Sequence, residues 1–117
     1  MDDEEYRKKV EREILQIIEN SLKERQMNAD RATEIARYIV SSLRPHMTFN
    51  QIHDVVQNFD EHFSELVPVV LEVSREYQEK VKNAVINHVD ILIKQGKIDE
   101  AHTLLKKANN NEIKLKE

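Results

Sequence analysis

The chain has no cysteine and no tryptophan, and only one glycine and two prolines in 117 residues. Without cysteine there is no disulfide framework and no thiolate metal site, which fits a reducing compartment. A single glycine excludes a Gly-rich phosphate loop. So few turn-formers also argue against a sheet built on many hairpins. The longest uncharged apolar run, LVPVVL, falls far short of a membrane span, and the acidic start MDDEEYRKK holds no apolar signal core. A soluble cytoplasmic protein with no membrane partner is the expectation. Eighteen Lys and Arg against 22 Asp and Glu give a net charge of −4. That balance offers no broad basic face, so nucleic acid is not expected as the main partner.

What the chain does have is helix-forming material. Charged residues are 34% and apolar residues 39%, with Glu, Lys, Leu and Ile abundant. The pattern predicts an all-α protein, a single domain over 1–117, with an antiparallel bundle of about five helices. A first helix over 4–25 carries Tyr6, Val10, Ile14, Ile17 and Ile18 on one face, widened by Leu15 and Leu22. A second, 29–43, follows Asn28 as N-cap and carries Ala32, Ile35, Ala36, Ile39, Val40 and Leu43. Pro45 stops it. Thr48-Phe49-Asn50-Gln51 reads as a capping box opening a third helix, 49–66, which holds all three phenylalanines, Phe49, Phe59 and Phe63. A fourth, 68–95, ends at Gly96 as a left-handed C-cap, and a fifth covers 99–108. The last eight or so residues are expected to fray.

Pro68 divides the third pattern from the fourth. The apolar phase runs almost unbroken across it, through Phe59, Phe63, Leu66, Val70 and Tyr77. One helix over 49–95 would nevertheless span roughly 70 Å, twice the width of a compact chain of this size. An internal proline costs about 3 kcal/mol, whereas the first turn of a new helix accepts it. A break or sharp kink at Pro68 is therefore expected. The fourth helix remains long, about 42 Å, with an apolar arc of about 160° that leaves Ile86 and Ile93 outside it. Val69, Ile86 and Ile93 are thus candidates for an interface with a second copy or another protein. His88, at the centre of the arc, is expected to be buried and hydrogen-bonded.

The residues that could carry chemistry do not assemble into a signature. His53 and His62 lie nine apart, on opposite faces of one predicted helix. Asp99 and His102 have the i, i+3 spacing of bundle metal sites, but no second copy of the pattern completes a ligand set. Ser21, Ser41, Ser42, Ser64 and Ser74 fall within helical patterns and not on strained turns. No catalytic residue, cofactor, metal or small-molecule ligand is expected. Asn50, Gln51, Gln57 and Asn58 could contact bases from the third helix, but Asp54, Asp60 and Glu61 share that region. The expected role is a non-enzymatic interaction or assembly module that self-associates as a homodimer. A small DNA-binding regulator and a metal-dependent helical-bundle enzyme are the rival readings.

One segment, AVINHVDILIKQGKIDEAHTLLKKA over 84–108, resembles the second half of a tetratricopeptide repeat. Gly96 matches the turn of that family, Ala101 its close-packing small residue, and Leu105 and Ala108 later apolar and small positions. The match covers about a fifth of the chain and occurs once, where such repeats need about three copies to bury a core. The resemblance implies a tight antiparallel helical hairpin. It does not imply a superhelical peptide groove.

Overall fold

A computed structural model describes residues 2–110 and 113, and every described element is helical. The helices are α1 (Asp3–Lys23), α2 (Ala29–Ser42), α3 (Phe49–Val56), α4 (Phe59–His62), α5 (Val67–Lys94) and α6 (Ile98–Asn109). A 3-10 turn, Ser64–Leu66, leads into α5. Five of these helices have eight residues or more. No helix among the described residues is long and apolar enough to cross a membrane. The chain divides into two compact units, one up to Ser74 and one from Arg75 onward. The fraying expected at the C-terminus falls almost entirely on residues outside those described.

In the first unit the helix ends are set locally. Asp2 caps α1 by accepting from the Glu5 N–H at 2.8 Å, with Asp3, Glu4 and Glu5 in the positive first turn. Asn28 caps α2 through the Arg31 N–H at 2.8 Å. Thr48 and Gln51 form the capping box of α3: the Gln51 N–H donates to Thr48 Oγ1 at 3.2 Å, and the Thr48 N–H to Gln51 Oε1 at 2.9 Å. α1 ends with Arg25 at φ 58, in the left-handed region where a glycine would be unstrained.

The α1 stripe Tyr6, Val10, Ile14 and Ile18 is buried, and α1 packs against α2, α3 and the 3-10 turn. The rings of Tyr6 and Phe49 meet at 4.6 Å between centroids. Ile35, Ile52, Val56, Phe59 and Leu66 complete a core fully shielded from solvent. Arg7 is buried among these apolar side chains and is ion-paired to Glu4 and Glu11. Glu4 also accepts the His46 N–H at 3.1 Å. The Arg7 hydrogen bond, then the His46 N–H, holds the Glu4 carboxyl down at about 2.

The third helix does not run to residue 66 as its apolar phase suggested. α3 stops at Val56, α4 is one turn, and Phe63 is extended at φ −140, ψ 105. The extended residue turns the chain so that Phe59, Phe63 and Leu66 all reach the interior, where Tyr38 packs edge-on against Phe59 at 5.5 Å and Phe63 at 5.4 Å. The stop is anchored by side chains: Gln57 Nε2 donates to Ser74 Oγ at 2.9 Å. Pro68 is the second residue of α5, where its missing N–H is tolerated, and the Val67 N–H already reaches the Ser64 carbonyl. The expected break is therefore present, and it is made at residues 57–58 and 63, upstream of the proline.

The second unit is a helical hairpin formed by α5 from Arg75 onward and by α6. The Gly96 N–H reaches the Ile93 carbonyl at 3.0 Å and the Lys97 N–H the Leu92 carbonyl at 2.8 Å, with Gly96 at φ 75. This double bond pattern closes a helix with a left-handed residue, and the three-residue connection sends α6 back antiparallel to α5. Among the described residues, it buries Val85, Leu92 and Ala101.

Candidate interaction surface

A hairpin of two helices can shield one stripe from each, and the second unit carries more apolar surface than that. Ile86 and Ile93 are each 52% exposed on α5, and Ile98 and Leu105 are 58% and 48% exposed on α6. Both pairs have i, i+7 spacing, so each forms a row along its helix. Taking Val85, Leu92 and Ala101 as the surfaces the two helices turn to each other, a step of about 100° per residue fixes where the rows lie. Ile86 and Ile93 lie about a quarter turn from the α5 contact line, and Ile98 and Leu105 about 40–60° from that of α6, in the same rotational sense. Because the helices are antiparallel, the two rows fall on the same side of the hairpin. They make one apolar face, with Asp90 on its α5 flank and His102 on its α6 flank.

The opposite side is different in kind. An open cavity of about 370 Å³ is lined there by His88, Leu92, Glu100, Leu104 and Lys107 among others. His88 is exposed at its rim, not buried and hydrogen-bonded as its position in the apolar arc suggested. The reason is width: α6 is one helix and covers less than the whole arc. Ile91, on that side of α5, is also 52% exposed.

Of the three residues singled out from sequence, two belong to the exposed face. Val69 does not. It is 2% exposed and packs into the core of the first unit with Val70 and Val73, so it is not available to a partner. Sequence reasoning missed Ile98 and Leu105 as members of the face. Their signal was available, since they repeat the seven-residue spacing of Ile86 and Ile93.

The other candidate residues are dispersed or engaged. Gln51 serves the α3 cap and Gln57 binds Ser74, so these amides, considered for base contact, already have structural partners. His53 Nδ1 lies 3.1 Å from Asp54 Oδ1, and the His62 ring stands 4.7 Å from Tyr38. No group of three or more His, Asp or Glu side chains among the described residues could hold a metal ion. The first unit does contain one strong polar clamp. Arg31 Nε and Nη2 reach the two carboxylate oxygens of Glu65 at 2.8 and 2.9 Å, with the guanidinium 4.7 Å over the Phe63 ring. The Arg31 hydrogen bonds hold the Glu65 carboxyl down at about 2. The clamp ties the first turn of α2 to the corner before α5, which is a structural task. Comparison of the chain with known protein families, curated proteins and solved structures finds no match.

Proposed function

We propose that this protein is a non-enzymatic helical assembly module that self-associates through its second unit. The observation that carries the reading is the imbalance in that unit: Val85, Leu92 and Ala101 are buried, while Ile86, Ile93, Ile98 and Leu105 stand about half exposed on one face. A two-helix hairpin of this length has too little interior to be stable alone. Contiguous apolar patches rimmed by polar residues mark surfaces that bind protein. A cytoplasmic homodimer is the simplest form of such a module.

Absolute molar mass by light scattering tests it. The wild-type chain should give twice 13.8 kDa, and Ile86→Glu/Ile93→Glu should return to the monomer mass. A wild type at the monomer mass refutes self-association. An unchanged mass in the variant removes these isoleucines from the contact.

A further inference from the structure

We draw no further inference here: the strongest candidate, the apolar face that Ile86, Ile93, Ile98 and Leu105 form on one side of the α5–α6 hairpin, carries no more than the self-association already proposed, because nothing in the structure shows what covers it.

Discussion

Leu92→Ala should open α6 while leaving the first unit folded. Leu92 is 7% exposed and, with Val85 and Ala101, makes up the buried apolar set of the hairpin. Full burial of a Val or Leu contributes about 1.5–3 kcal/mol, and an alanine methyl about 1 kcal/mol, so the set contributes roughly 4–7 kcal/mol before ordering costs. Buried Leu→Ala changes cost about 2–5 kcal/mol, the higher values where a closed cavity remains. Leu92 borders the open cavity shared by His88 and Leu104, so solvent can fill the space it vacates. The low end, about 2–3 kcal/mol, applies, and it is close to half of what the hairpin has. At 1.4 kcal/mol per tenfold, amide exchange within Thr103–Ala108 should accelerate roughly 30- to 150-fold. Exchange within Val10–Ile18 of α1 should change little. Mass-spectrometric hydrogen exchange at two protein concentrations reads this directly, because self-association would raise protection of α6 with concentration. Unchanged α6 protection would refute the accounting, as would equal acceleration of α1, which would make the two units one cooperative structure.

Two further outcomes follow from the first unit. Pro68→Ala should lower stability by only about 0.5–1 kcal/mol, through the freer unfolded chain, because the corner is made at residues 57–58 and 63; a urea-unfolding loss near 3 kcal/mol would show that the proline itself holds the corner. Glu65 is held at about 2 in the fold against an ordinary 4.5, so its contribution is present above the unfolded value and is lost as pH falls from about 5 towards 2. Screening of a partly exposed carboxylate limits that contribution to about 1 kcal/mol. Thermal melts of wild type and Glu65→Gln should therefore differ at pH 7 and converge near pH 2, and a gap that persists there would contradict the electrostatic origin.

Features encoded within a few residues were legible in the sequence. Asn28, the Thr48–Gln51 box and Gly96 act through hydrogen bonds to neighbours three to five positions away, so the local pattern is the whole cause. The seven-residue spacing of Ile86 and Ile93 likewise survived into the structure. The stop after Val56 was not legible, because helical phase is conserved through Phe59, Phe63 and Leu66 whether the chain continues or turns. It turns because three large side chains must share one interior with Tyr38, which is a condition on volume. The Arg31–Glu65 clamp joins residues 34 apart and has no periodic signature.

Val69 and His88 illustrate the same division. Both sit on an apolar helix, and the sequence could rank neither against its surroundings. Composition and periodicity alone determined that this chain is helical, where most helices begin and end, and that α5 has apolar residues on more than one side. Which of those sides is covered depends on how many helices pack around each turn of α5. In the first unit Val69, Val70 and Val73 meet a crowded core; from Arg75 onward α6 is the one other helix among the described residues. Burial is a property of neighbours distant in the chain, so it was the tertiary packing that placed Val69 inside and left Ile86, Ile93, Ile98 and Leu105 facing outward.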